Sequence, residues 1–361
     1  MRPCRVLVDS FADAGLSNAQ MTNAREIVRR LDPDRFHVTM FYVSAADERI
    51  AQRPNTGLIR LGKTRQTVGI LKEFIAGQQD IIFYLKASPA SKWYLRLREV
   101  HYDDKVAIGT IESRSDLRNE PTITPEAVRL WEQTVLRCDC LFSNSHAVQK
   151  SLESEYGLPS SVIPTGVDTA FFSPAADRAP NPRLRVLFVG SLRPFKQPQL
   201  LLDAAIRFRH ADFILVGDGI MAGELRDRVQ KENLENVQLL GSLTPQAVRE
   251  QYRQSDVFLF PSTWEGSPKV ILEAAACGLP VIASSHYRPE TVVDGKTGFV
   301  VSPGEELFFR LNQLLADKEL RRLFGGSGRK LSERFDWDFI TRQWEEVFVS
   351  LTTAKANGHV A

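Results

Sequence analysis

The chain has 361 residues, long enough for two ordinary domains that each bury a core of their own. With 43% hydrophobic and 25% charged residues it reads as globular, and 46 basic against 44 acidic side chains leave a net +2, which excludes nucleic-acid binding by bulk electrostatics. No run approaches ~18 apolar residues and the start leads directly into an apolar strand pattern, so a cytoplasmic protein without a transmembrane helix or signal segment is expected.

Residues 5–9 predict a first strand, followed by a loop at 10–18 that turns around Gly15 and by a helical pattern over 20–31. A glycine after a first strand lets a ligand approach the backbone. Further strands are predicted at 37–43 and 80–84, around a helix at 68–76. Residues 91–100, Ser-Lys-Trp-Tyr-Leu-Arg-Leu-Arg-Glu-Val, interleave aromatic and basic side chains. They suit a core-packed helix with a solvated basic face, and equally a contact with an anionic membrane surface or a charged acceptor. A strand at 105–111 ends in Glu112-Ser113-Arg114, and another is predicted at 138–143. Ser145 is placed to cap the helix that carries His146, read as structural. Cys4, Cys138, Cys140 and Cys277 have neither disulfide-framework nor zinc spacing and read as small buried hydrophobes in a reducing compartment.

Residues 173–183, rich in proline and small or polar types, mark a linker. The second half opens with a strand at 185–189 and the loop Gly-Ser-Leu-Arg-Pro-Phe-Lys. There Arg193, as a fork, and Lys196, as a point charge, can neutralise a diphosphate, two solvated loop cations being the plainer alternative. A strand at 212–216 ends in Gly217-Asp218-Gly219, which permits close approach of a nucleotide, and one at 237–240 runs into Gly241-Ser242. Strands at 281–284 and 298–301, helices at 305–315 and 318–324, and a final helix from Phe335-Asp336-Trp337 follow, with 352–361 read as frayed.

The stretch 261–283, Pro-Ser-Thr-Trp-Glu-Gly-Ser-Pro-Lys-Val-Ile-Leu-Glu-Ala-Ala-Ala-Cys-Gly-Leu-Pro-Val-Ile-Ala, organises the rest. It reads as loop, helix and strand after an apolar strand at 257–260, with Ser267 as helix cap and Pro268 at the first helical position. The amides of Lys269, Val270 and Ile271 then face outward, where the macrodipole favours an anion such as a diphosphate. Glu265 precedes the cap. Glu273 lies among Ile271, Leu272 and three alanines, an apolar setting that a carboxylate tolerates only with a partner.

The wording Glu-Gly-Ser-Pro-x-Val-x-Leu-Glu-Ala-x-Ala-x-Gly-x-Pro-Val-Ile-Ala resembles the donor-site signature of family 4 retaining glycosyltransferases of the GT-B fold. The resemblance runs from about 162 to 344 and covers the first part only in outline. It implies that Glu265 sits by the reacting sugar, that Glu273 binds the ribose hydroxyls, and that the backbone of Gly266, Ser267, Pro268, Lys269 and Val270 holds the diphosphate, with Gly217 and Gly241 beside the nucleotide. Lys196 and Arg193 carry over as diphosphate cations, although relatives more often put arginine where Ser191 stands. On the acceptor side it points to Gly15, Glu112 and Arg114. Relatives usually carry a glycine pair in the first loop and a histidine where this chain has Glu112, and His286-Tyr287-Arg288 replaces another glycine pair before Pro289-Glu290.

The expected fold is α/β, GT-B: two Rossmann-like domains facing a central cleft, the acceptor-side domain at 1–173 and the donor domain at 184–335. A helix at about 336–352 crosses back to the first domain. The expected function is transfer of a sugar from a nucleotide-diphosphate donor, UDP- or GDP-linked, to a hydroxyl of a glycan, lipid-linked or small-molecule acceptor, with retention. Lys196 and Glu265 are its catalytic residues. No metal or further cofactor and no nucleic-acid partner is called for, and the first domain is the side for peripheral membrane contact. A catalytically silent nucleotide-sugar binder and a sugar-nucleotide epimerase of the same fold are the alternative readings.

Overall fold

The computed structural model describes residues 2–14, 18–62, 64–101, 104–112, 124–178, 181–287 and 289–356. They fall into two compact units, Met1–Pro164 with Trp337–Ala361, and Thr165–Asp336.

The first unit carries strands β1 (Cys4–Phe11), β2 (Phe36–Tyr42), β3 (Thr56–Arg60), β4 (Ile81–Phe83), β5 (Val106–Ile111), β6 (Cys140–Ser143) and β7 (Ser161–Val162). They form one sheet in the order β3-β2-β1-β4-β5-β6-β7, and the pairs are parallel. The second unit orders β8 (Arg185–Val189), β9 (Asp212–Val216), β10 (Val237–Leu239), β11 (Val257–Phe260), β12 (Val281–Ser284) and β13 (Gly298–Val301) as β10-β9-β8-β11-β12-β13, again parallel. Helices between successive strands cover both faces, so the central strands are continuous apolar runs; Val-Phe-Leu-Phe of β11 is buried throughout. Each sheet reverses its winding direction once, between β1 and β4 in the first unit and between β8 and β11 in the second. At such a switch point the loops leaving the carboxyl ends diverge and open a crevice.

The final helix, Trp337–Ala356, belongs to the first unit. Trp344 packs on Phe83 and Phe142 with ring centroids 4.7 and 4.8 Å apart, and Phe348 on Phe83 and Phe36 at 5.0 and 5.9 Å. Glu345 accepts from the Asp32 amide at 2.8 Å and from Arg35 at 3.1 Å, which fixes the register. Two helical boundaries differ from the sequence reading. Residues 352–356 continue this helix rather than fraying, with Thr352 Oγ1 donating to the Phe348 carbonyl at 2.9 Å. The helix expected at 318–324 extends to Ser332 through Gly325, Gly326 and Gly328. Gly325 is required there: a Cβ would lie 2.1 Å from the Gly278 carbonyl oxygen.

Of the cysteines, all free, Cys277 is buried, whereas Cys4, Cys138 and Cys140 are half-buried because they stand at or just before the amino ends of β1 and β6. Burial pushes the Cys4 and Cys277 thiols up to about 12. Among the described residues no helix is long and apolar enough to cross a membrane.

Candidate functional site

The carboxyl ends of β8, β9 and β10 are drawn together by main-chain bonds. The Gly190 amide donates to Val216 at 3.0 Å, Gly217 to Gly241 at 2.8 Å and Leu192 to Asp218 at 2.9 Å. Gly217 has φ 136°, and a Cβ on it would fall 1.9 Å from the Gly190 oxygen, so glycine is demanded by loop-on-loop packing whether or not a ligand is present. Gly241, at φ 66°, turns the chain after β10 with open space where a side chain would point.

Two loops flank the switch point. After β8, a single turn of 3₁₀ helix, Pro194–Lys196, is followed by Gln197 at φ 49°, an uncommon conformation for a non-glycine residue. After β11, the Thr263 amide and hydroxyl and the Ser262 hydroxyl all donate to the Phe195 carbonyl, at 2.7, 3.1 and 3.2 Å. The loops are thereby locked edge to edge, and Lys196 Nζ meets Glu265 Oε1 in an ion pair whose side chains are 15% and 12% exposed. The same ammonium lies 5.0 Å from the Phe260 ring and 5.4 Å from Phe195, so a carboxylate and two aromatic faces hold it. Arg193 is exposed on the same loop. Tyr287 packs against Phe260, 1% exposed, its hydroxyl without a partner among the described residues.

The helix after Glu265 spans Lys269–Ala276. Ser267 does not cap it. Pro268 is the N-cap, extended at ψ 114°, and makes no side-chain cap bond, so the helix starts one residue later than the sequence suggests and Ser267 is not its cap. The Ile271 amide also leaves the predicted outward set, since it donates to the Pro268 carbonyl at 3.2 Å. Gly266, Ser267, Lys269 and Val270 are half-buried around this start, and Pro268 is buried.

One turn further on, Glu273 Oε2 accepts from the hydroxyl of buried Tyr252 at 3.0 Å, and the same hydroxyl stands 3.2 Å from the Val270 carbonyl. Burial raises the Glu273 carboxyl above its usual range, and Lys269 and the Tyr252 bond only partly oppose this. An acid held more strongly protonated in the folded chain than in the unfolded one loses folding stability as pH rises from the unfolded value, about 4.3, through the folded one. Glu273→Gln is therefore expected to raise the melting temperature by a few degrees at neutral pH and to change it little at about pH 3. Thermal melts across that range check it; a lower melting temperature at neutral pH contradicts it.

In the first unit, Glu112 follows β5 directly. Its Oε1 accepts from Tyr84 Oη at 2.5 Å and Asn23 Nδ2 at 3.0 Å, while its carbonyl accepts from Asn144 at 2.9 Å. Tyr84 follows β4 at φ 59° and is buried. Lys86 and buried Asp9 stand beside it, with the Lys86 amide donating to Asp9 Oδ2 at 2.9 Å. Burial raises the Asp9 carboxyl and lowers the Lys86 ammonium. Gly15 and Arg114 lie outside the described residues. Sequence reading missed Tyr84, Lys86, Asn23 and Tyr252, and met Tyr287 only within the His286-Tyr287-Arg288 that replaces a glycine pair. No motif marks them, and only the terminal positions of Tyr84 and Lys86 after a strand could have drawn attention.

Two doubly wound parallel α/β units of this kind define the GT-B class of fold. Residues 172–331 match the model of the family glycosyl transferases group 1. An uncharacterized glycosyltransferase of Methanocaldococcus jannaschii is 31% identical over 169 residues, 46% of this chain and 48% of that one, so the chain spans about half the length of this curated relative. Sucrose-phosphate synthase from Thermosynechococcus elongatus superposes with a TM-score of 0.80 at 21% identity, covering 98% of this chain and 100% of that one. Anabaena HepE in complex with UDP and glucose superposes at 0.72 and 20% identity, covering 96% and 99%.

Proposed function

We propose that the chain is a retaining glycosyltransferase that moves a sugar from a UDP- or GDP-linked donor to a hydroxyl of a sugar, glycan or lipid-linked acceptor. The observation that carries this reading is the Lys196–Glu265 pair, brought from two loops to the switch point of the second sheet, one turn from an uncapped helix start. On this reading the donor diphosphate takes Lys196 from Glu265. Lys196 and Arg193, with the main chain of 266–270, stabilise the leaving diphosphate, which is the dominant cost of the reaction. Glu265, released from its cation, orients the sugar and stabilises positive charge at the anomeric carbon. Glu273, fixed by Tyr252, takes the ribose hydroxyls, and Gly217 and Gly241 leave the nucleotide room. Glu112, with Gly15 and Arg114, belongs to the acceptor side.

The complex of HepE with UDP and glucose supports UDP as the first nucleotide to try. Trp93, 53% exposed with the Arg96 guanidinium 5.7 Å from its ring, supports peripheral contact of the first unit with an anionic membrane, from the cytoplasmic side. In the test, UDP and GDP are each titrated against the melting temperature, since a ligand that binds only the folded chain raises it. One nucleotide is expected to stabilise the wild type and to lose most of that effect in Glu273→Ala. Product anomeric configuration, read by NMR, then decides retention. Equal stabilisation of wild type and Glu273→Ala contradicts the assignment of the site.

A further inference from the structure

At the opposite end of the second sheet lies a cavity that the reading above does not use. Leu184, Asp256 and Pro280, which precede β8, β11 and β12, border it, whereas the candidate site lies beyond the carboxyl ends of these strands. A four-residue strand such as β11 separates the two by about 13 Å. The cavity encloses about 710 Å³ and is lined by six cations: Arg178, Arg253, Lys318, Arg321, Arg322 and Arg329.

Three of these have an acidic partner. Arg178 pairs with Asp256 at 2.8 Å, Arg253 with Glu250 at 3.1 Å and Arg322 with Glu319 at 2.8 Å. The other three have none among the described residues. Arg321 Nη1 donates to the Leu314 and Leu315 carbonyls at 2.5 and 3.1 Å, and Arg329 Nη1 donates to those of Thr169, Phe172 and Ala276, all three at 2.9 Å. Neutral carbonyls fix the position of a guanidinium without cancelling its charge. Lys318 is exposed and has no side-chain partner among the described residues.

The placement runs against helix electrostatics. Lys318, Arg321 and Arg322 occupy the start of the 15-residue helix Lys318–Ser332, the end at which the macrodipole favours anions. The N-cap Asp317 already accepts from the Leu320 amide at 2.9 Å and answers the dipole, so the positive potential of the cavity rests on Lys318, Arg321 and Arg329, which have no ion-pair partner among the described residues. Because carbonyl bonds hold Arg321 and Arg329 in place, an anion arriving there would find donors already ordered. Gly326 adds no wall, since nothing lies within 4 Å of where its Cβ would stand. The guanidinium forks match the oxygens of a phosphate.

We propose that this cavity is a second anion site, which binds a small phosphorylated ligand carrying two or three negative charges. It is separate from the Lys196–Glu265 site. The test is calorimetric titration of the full chain with inorganic pyrophosphate at low salt, on the wild type, Lys318→Glu, Arg321→Gln and Lys196→Ala. Lys196→Ala removes any pyrophosphate bound at the donor site and is expected to keep a binding phase that belongs to this cavity, while Lys318→Glu and Arg321→Gln weaken that phase about tenfold or more. If Arg321→Gln loses stability with its carbonyl bonds, Lys318→Glu decides alone, because Lys318 holds nothing in the fold. Pyrophosphate binding that is absent in wild type, unchanged in Lys318→Glu, or lost in Lys196→Ala overturns the proposal. The last outcome would assign the anion to the donor site and leave that reading intact.

Discussion

Lys196→Ala is expected to lower turnover by about 10²–10³-fold, the range seen when one preorganised group facing developing negative charge is removed. The ammonium is held from three sides, by Glu265 and the rings of Phe195 and Phe260, so it is in position before any ligand arrives. A diphosphate that displaces Glu265 meets a cation whose desolvation is already largely complete. The loss should fall on kcat more than on the KM for acceptor, because the charge it answers grows as the sugar–phosphate bond breaks. The substitution also strands Glu265, at 12% exposure, without its cation, and a stability cost of about 1–3 kcal/mol should accompany it. Initial rates with the nucleotide sugar found by thermal shift, alongside a denaturant melt, measure both. Unchanged turnover would remove Lys196 from the proposed machinery.

The second large effect lies far from the chemistry. Trp344→Ala is expected to destabilise the first unit by about 3–5 kcal/mol. Its indole is 3% exposed and lies between Phe83 at the end of β4 and Phe142 in β6, two strands of one sheet, so truncation leaves a cavity spanning both contacts. Surrounding residues on a rigid sheet collapse poorly into such a space. Calorimetry should show the transition of the first unit moved down by several degrees, with that of Thr165–Asp336 unmoved. A shift of both transitions together would mean that the two units unfold as one cooperative block.

The second sheet was legible because its strands are buried on both faces. Arg185–Val189, Asp212–Val216, Val257–Phe260, Val281–Ser284 and Gly298–Val301 are apolar runs bounded by Gly, Pro, Ser or Asp, and the boundaries read from sequence are those of the structure. The edge strand Thr56–Arg60 was not legible. Thr-Gly-Leu-Ile-Arg offers two large apolar residues and a glycine, and its side chains are half or fully exposed. The helix end expected at 324 was misplaced for an identifiable reason: Gly325 lets the helix lie against the Gly278 main chain, a contact between residues 47 apart that no local pattern records. For the candidate site, the motif named Glu265, Glu273 and Lys196 without their partners. That Lys196 pairs with Glu265, and that Tyr252 supports Glu273, depends on which loops the switch point brings together. The capping error at Ser267 came from reading the sequence string where the ψ of Pro268 decides.

The first unit is built from both ends of the chain, and this sets the order in which the protein can be assembled on the ribosome. Phe36, Phe83 and Phe142 emerge first, yet the aromatic partners that cover them, Trp344 and Phe348, are translated only after the whole of Thr165–Asp336. At ordinary rates of synthesis the gap is roughly 10–40 s. The continuous stretch Thr165–Asp336 can close its own core within that interval, so the half made second finishes first, and the half made first waits with apolar surface open to chaperones or to aggregation.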